Sequence, residues 1–329
     1  MHILIISPLR MGDAIWAMPA VQAYAERHPA HRLTVLATAP SWPLWNLHPI
    51  PSQVILGELA PGGIRRTEER VRLAGPFDRA FIMPSTFLAA WIALRASVPE
   101  RYGLPGGVRD LLVSGIVEPA LNPARSHQAY RYLDLMLPQA GIAQCPPPAI
   151  KPDPETHQSI QSRLERWPKP WITFIPGADG YPSKQWPAAH FVTLGRRLQQ
   201  EHQATILLAG TGDDRGRCDR IAQDIGPGAQ NLAGTLETTE WLSLLAHATV
   251  AVSNDNDALQ MAAAMGTPVV ALFGLTDPEV TGPLWTRSTV LQPRSVRTAP
   301  ALPRHSAPAE AAMRSIQPGG VFDAVTNWL

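Results

Sequence analysis

The chain has 329 residues, 45% of them hydrophobic, a length at which one core divides into two domains. A formal net charge of +1 supplies no global field for nucleic acid, and no basic-aromatic interleaving suggests it locally. Two cysteines, Cys145 and Cys218, form no paired spacing, which excludes a zinc framework or disulfide scaffold and fits a reducing compartment.

Ile3 to Ile6 reads as a buried strand, and Ser7 to Asp13 as the turn that delivers a helix from Ala14 to about Arg27. Asp13 stands where an N-cap would, so its carboxylate either caps that first turn or projects from the strand end into a ligand crevice, with Gly12 permitting the tight turn. The N-terminal apolar run is too short for a signal peptide or a membrane span, and the expectation is a soluble, cytoplasmic protein. Arg32 to Ala37 makes a second strand and Pro40 to Leu47 a short helix, whose tryptophans Trp42 and Trp45 read as packing residues.

Pro61 to Arg72 is the most basic local run, with Arg65, Arg66, Arg70 and Arg72 around Glu68 and Glu69. It reads as a solvated, self-paired helix face, although guanidinium forks there would also suit a phosphorylated or carboxylated acceptor. A strand over Phe77 to Met83, an apolar helix over Phe87 to Ala96 containing Trp91, and a short strand at Arg101 to Gly103 follow, with Arg109 just after a glycine pair. Ser126 to Leu137 has helical spacing. The proline-rich stretch from Cys145 is stiff and extended, and the expected division is into domains 1–148 and 149–329.

The second half repeats the alternation: helix Glu155 to Arg166, strand Trp171 to Ile175, helix Ala188 to Gln200, strand Thr205 to Ala209, helix Arg215 to Asp224, a weak strand near Asn231 and helix Thr239 to Ala246. Val250 to Phe273 then forms a βαβ unit, its helix running from Asn256 to Met265 and broken by Gly266-Thr267-Pro268. A strand ending in Ser253-Asn254-Asp255 and feeding straight into a helix presents backbone N–H groups that suit a phosphate. Gln292 to Pro308 reads as an irregular excursion and Val321 to Leu329 as a short amphipathic helix that closes against one domain or the other. Alternating β and α over both halves predicts two doubly wound parallel sheets.

The loop Pro176-Gly177-Ala178-Asp179-Gly180-Tyr181-Pro182-Ser183-Lys184-Gln185-Trp186-Pro187 joins a Pro-Gly-Ala turn, a lysine and a helix-opening Trp-Pro. Together with Gly12-Asp13, the Phe77 to Gly103 stretch and the Asn254 to Pro283 unit, it resembles glycosyltransferase family 9, the lipopolysaccharide heptosyltransferases, from Ile3 almost to the C-terminus. That resemblance implies a GT-B fold of two Rossmann-like domains facing across a cleft. It also implies inverting, metal-independent transfer of heptose from ADP-heptose to the inner core of a lipid A-linked oligosaccharide, with no cofactor, by a monomer peripheral to the inner face of the inner membrane.

Asp13 matches the proposed base that takes the acceptor proton, and Lys184 the lysine that offsets charge on the departing diphosphate. The implied donor side adds Gly177, Ala178, Asp213, Asp255, Asn256, Asp257 and Gln260, and the implied acceptor side has Gly12, Arg65, Arg66, Arg101 and Arg109. Asp213 is preferred to Asp214 for the nucleoside, although Asp214 could do the same and either could instead cap the helix. Two positions depart from the family: Asp257 replaces a glycine and Gln260 a histidine, adding a carboxylate and removing a titratable donor. The departures point to the alternative of a non-catalytic or donor-switched relative that binds another nucleotide sugar or a glycolipid, while the retention of both Asp13 and Lys184 points to the transferase. A third class, a nucleotide-sugar epimerase on the same frame, would need an acid-base cluster that the sequence does not display.

Overall fold

The computed structural model describes residues 1–120, 126–138, 145–294, 297–299 and 302–329. The chain divides into two compact units, Met1–Lys151 and Pro152–Leu329.

The first unit begins with β1 (His2–Ile6), α1 (Met11–Arg27), β2 (Arg32–Ala37), α2 (Trp42–Asn46), β3 (Gln53–Leu56) and α3 (Ile64–Ala74). It continues with β4 (Arg79–Ile82), α4 (Phe87–Arg95), β5 (Glu100–Gly103), a 3-10 helix over Gly107–Leu112, β6 (Gly115–Ile116) and α5 (Gln128–Met136). Its six strands are parallel, in the order β3-β2-β1-β4-β5-β6. The central strands are apolar runs rather than alternating ones because helices cover both faces of a parallel sheet. Ile3, Leu4, Ile5 and Ile6 are all buried. On one face Leu4, Ile6, Val71, Ile82, Ala89 and Ile92 share a core, and α1 packs with α5.

The second unit comprises α6 (Pro154–Leu164), β7 (Trp171–Ile175), α7 (Ala188–His202), β8 (Thr205–Leu208), α8 (Arg215–Ile225), β9 (Ala229–Asn231) and α9 (Thr238–His247). Then come β10 (Val250–Asn254), α10 (Asp257–Ala264), β11 (Val269–Leu272), α11 (Pro278–Thr281), β12 (Ser288–Leu291), α12 (Ala307–Ser315) and α13 (Pro318–Thr326). The parallel sheet runs β12-β11-β10-β7-β8-β9. Numbered within its own unit, that is the same strand order as the first sheet. Both units are therefore Rossmann-like, and the fold is of GT-B type.

In each sheet the chain leaves its first strand to one side and returns on the other with its fourth, so the switch points lie between β1 and β4 and between β7 and β10. Ligands of doubly wound sheets bind outside the carboxyl ends of the strands at such points. The final helix closes against the second unit, where Val321, Phe322 and Val325 join the core and the Arg197 guanidinium lies 3.6 Å from the Phe322 ring centroid.

Several elements depart from the sequence expectation. α1 starts at Met11, with Arg10 as its cap, so Asp13 is the third helical residue and not the N-cap. Gly12 is buried and helical, and the turn expected of it is made by the residues before it. Strands β3, β6 and β12 and helices α11 and α12 add to the expected set. Of the excursion read over Gln292 to Pro308, residues 295, 296, 300 and 301 lie outside the described residues, and α12 already begins at Ala307.

Candidate active site

At the first switch point, the loop from Ser7 leads from β1 into α1. Trp45, fully buried, donates its indole N–H to Ser7 Oγ at 2.8 Å, and Thr38 Oγ1 donates to the Leu9 carbonyl at 3.0 Å. These two bonds fix the loop that leads into α1 and so to Asp13. A cavity of about 420 Å³ elsewhere in the unit is lined by Thr38, Glu58, Arg66 and Arg70, but a second, of about 330 Å³, has Asp13 in its wall. Asp13 shares that wall with Arg10, Ser85, Thr86, Arg109, Arg131 and Tyr132, drawn from the β1 and β4 loops, the 3-10 helix and α5. Burial pushes the Tyr132 hydroxyl above its ordinary range, and the Asp13 charge pushes the same way, so the phenol stays a donor throughout the neutral range.

The acceptor-side arginines do not assemble together. Arg65 and Arg66 are exposed on α3, and Arg66 alone of the two lines a cavity. Arg101 donates to the carbonyls of Leu112, Val98 and Pro99 at 2.8, 2.6 and 3.1 Å, a local brace that lies in neither cavity wall. Arg109 is only 1% exposed: it donates to the Pro84 carbonyl at 2.9 Å and pairs with Asp110 at 3.3 Å. It thus holds the β4 loop while forming part of the wall around Asp13. The preceding glycine pair makes room for it, because a Cβ on Gly106 would lie 2.7 Å from the guanidinium carbon.

At the second switch point, Asn254 staples the loop after β7 to the end of β10. Its Nδ2 donates to the Pro176 and Gly177 carbonyls at 2.9 and 3.0 Å, and its Oδ1 accepts from the Trp186 N–H at 3.1 Å. Asn256 adds a bond to the Gly177 carbonyl and caps α10 by accepting from the Leu259 N–H. Held in this way, Lys184 places Nζ 2.6 Å from Asp255 Oδ2, with side chains 20% and 8% exposed. A cation and a carboxylate therefore meet at the carboxyl edge, at the start of α10.

The helix N-terminus itself is less open than the sequence suggested. The Asp257 N–H donates to Asp179 Oδ2 at 3.0 Å, so side chains already occupy two of the first-turn donors. Gln260 is 2% exposed and donates to the Thr281 carbonyl at 2.9 Å, tying α10 to α11. That bond packs the side chain between the two helices. Gly177 and Ala178 sit inside the loop, and a Cβ on Gly177 would meet Asp214 Oδ1 at 2.5 Å. Asp214 caps its turn by accepting from Thr211 N and Oγ1, whereas Asp213 is exposed at the end of β8.

Sequence reasoning missed Asn254 as a staple, Asp179 as a cap, and Arg10, Arg131 and Tyr132 as neighbours of Asp13. A polar residue ending a fully buried strand was the available signal for Asn254. Among the described residues, no group of three or more His, Cys, Asp or Glu is placed to hold a metal, and no helix is long and apolar enough to cross a membrane.

Residues 65–307 match the model of glycosyltransferase family 9 (heptosyltransferase). The lipopolysaccharide heptosyltransferase 2 of Salmonella typhimurium is 28% identical over 318 residues, covering 89% of this chain and 88% of that protein. The solved E. coli ADP-heptose lps heptosyltransferase II superposes with a TM-score of 0.84 at 25% identity, over 100% of this chain and 98% of that one. The E. coli heptosyltransferase WaaC, solved with ADP, shares the fold with a TM-score of 0.76 at 17% identity, each chain covered completely.

Proposed function

The chain belongs to glycosyltransferase family 9 and is a glycosyltransferase, and from that premise we propose that it moves a heptose from ADP-heptose to the inner core of lipopolysaccharide, with inversion and without a metal. The relatives named as lipopolysaccharide heptosyltransferases support the sugar and the acceptor. The observation that carries the donor assignment is Lys184 beside Asp255 at the β7/β10 switch point. A diphosphate arriving there meets an ammonium already fixed by a short ion pair, within a loop fastened by Asn254 and Asn256. As the sugar's bond to the diphosphate breaks, negative charge builds on the leaving oxygen and Lys184 offsets it.

Asp13 would act on the acceptor. Its carboxylate takes the proton of the attacking hydroxyl as that oxygen bonds to the anomeric carbon from the face opposite the diphosphate. Because attack and departure occur on opposite faces, configuration inverts. The lipid A-linked acceptor would bring the enzyme to the inner face of the inner membrane, where it would act as a peripheral monomer.

One observation favours a second reading, a relative that takes a different nucleotide sugar. Asp179 and Asp257 bring two carboxylates to the start of α10, and each repels a diphosphate. Calorimetric titration with ADP-heptose, ADP, and UDP- and GDP-sugars, repeated on Lys184→Ala, separates the two. Binding confined to adenine nucleotides and weakened by the lysine change supports the heptosyl donor. A preference for another base moves the donor, and binding of none removes the donor site.

A further inference from the structure

Asn254 and Asn256 fasten the two ends of the lysine loop, through the carbonyls of Pro176 and Gly177 and the N–H of Trp186, and neither bonds to its middle. That middle is a 3-10 turn, Pro182–Lys184, whose own bonds are local: the Lys184 N–H donates to the Tyr181 carbonyl and the Gln185 N–H to the Pro182 carbonyl. So short a turn, with the poorer bonds of its type, does not fix its own place against the sheet. The chain between β12 and α12 reaches it from outside. Ser183, fully buried, donates its hydroxyl to the Pro303 carbonyl at 2.8 Å and its N–H to the Arg304 carbonyl at 3.3 Å. The same connection holds the loop after β11: the Ala299 N–H donates to the Leu275 carbonyl at 2.8 Å, and Thr298 Oγ1 donates to Asp277 Oδ2 at 3.2 Å. It therefore straps together two loops that leave the carboxyl edge of the second sheet, from the strands on either side of β10.

Resting on the proposed role of Lys184 toward the leaving diphosphate, we infer that Ser183 is a positioning residue for the transfer, its two bonds to the strap setting where the neighbouring Lys184 places its ammonium. The ion pair with Asp255 cannot do this during the reaction, because the diphosphate draws on the same ammonium. The strap bonds engage only the hydroxyl and main chain of Ser183, so they persist when that pair loosens. Attraction between an ammonium and a bound diphosphate falls slowly with distance, so a small displacement of Lys184 changes affinity little. Charge building on the leaving oxygen is different: it is stabilised by a donor already at hydrogen-bond distance, and a misplacement of about 1 Å can cost about 10²-fold in rate. Ser183 thus acts on turnover and not on donor affinity.

Ser183→Ala removes the hydroxyl bond and leaves the ammonium in the protein. In initial rates of transfer from ADP-heptose to a lipid A-linked acceptor, its kcat falls by about tenfold or more. Its KM for the donor and its calorimetric affinity for ADP stay within about threefold of the parent, whereas Lys184→Met loses both turnover and affinity. In the Lys184→Met background, Ser183→Ala costs nothing further, because a residue that acts through Lys184 has nothing left to position. Thr298→Val loosens the strap at its other end, away from the lysine loop, and lowers kcat in the same direction; it decides the matter if urea unfolding shows that Ser183→Ala does not fold. The inference is overturned if these variants keep the parent kcat, or if Ser183→Ala lowers turnover by the same factor in the Lys184→Met background. Parent-like turnover in Lys184→Met alone is a separate failure, which overturns the donor-site reading and this inference with it.

Discussion

Replacing Asp255 by Asn separates two roles of the Lys184 ion pair. At 2.6 Å and an effective dielectric of about 20, the bare attraction is about 6 kcal/mol. Desolvation of both charges and solvent screening of an ammonium still 20% exposed offset most of this, leaving about 1–3 kcal/mol. Asp255→Asn should therefore lower the stability of the free protein by about 1–3 kcal/mol in urea unfolding. For ADP the sign reverses. The diphosphate competes with Asp255 for Lys184, so removing the carboxylate should tighten ADP by up to about tenfold in calorimetry. Lys184→Met should weaken ADP in either background, and the double variant should show no gain from the Asp255 change. If Asp255→Asn weakened ADP as much as Lys184→Met does, Asp255 would be holding the lysine in its productive position and the competition argument would be wrong.

Asp13→Asn keeps the shape and removes the base, so turnover should fall by about 10²- to 10⁴-fold while ADP affinity stays at the parent value, as measured by initial rates and calorimetry. Gly177→Ala would force a Cβ against Asp214 Oδ1 and break the Asp214 cap on Thr211, costing about 1–3 kcal/mol of stability in urea unfolding and weakening donor binding. Burial pushes the thiols of Cys145 and Cys218 up to about 12, so neither should be alkylated appreciably by iodoacetamide at pH 8 until denaturant is added, as mass spectrometry would show. His48 is held down to about 4 by burial, below its unfolded value. Its Nε2–H donates to Gln22 Oε1 and its Nδ1 accepts from the Ile50 N–H, a pattern that requires the neutral ring. The unfolded chain therefore binds the proton more readily, and stability should fall as pH drops from about 6.5 toward 4, by up to roughly 3 kcal/mol; His48→Gln should flatten that slope in urea unfolding.

The two Rossmann-like sheets were legible because their central strands are buried on both faces and so appear as uninterrupted apolar runs, as in Ile3 to Ile6 and Trp171 to Ile175. Edge strands carry no such run. β3 and β12 are half exposed, with Gln53, Leu56, Ser288 and Val290 facing water, and neither could be told from a loop. Asp13 could be singled out because it stands beside turn residues at the end of a recognisable strand, whereas Lys184 stood out only through the family resemblance of its loop. Arg131 could not: it joins the wall around Asp13 only where α5 meets the loops of β1 and β4, elements brought together by the fold and not by their spacing in the chain.

Arg109 and Gln260 each bond to a main-chain carbonyl that nothing in the sequence pointed to. A charged or polar residue near a glycine or at a helix start resembles a ligand contact in sequence, yet in both cases a main-chain carbonyl from a distant element satisfies it first: Pro84 for Arg109 and Thr281 for Gln260. Those bonds have a consequence for the chemistry. Gln260 anchors α10, whose first residue donates its N–H to Asp179 and whose cap, Asn256, grips the Gly177 carbonyl, so the departure from the family at position 260 reaches the proposed diphosphate site through the placement of the helix. Restoring histidine there should therefore alter donor affinity only to the extent that it moves α10. A Gln260→His variant that bound ADP more tightly while leaving the Asn256 and Asp179 contacts in place would show that position 260 acts on the ligand directly.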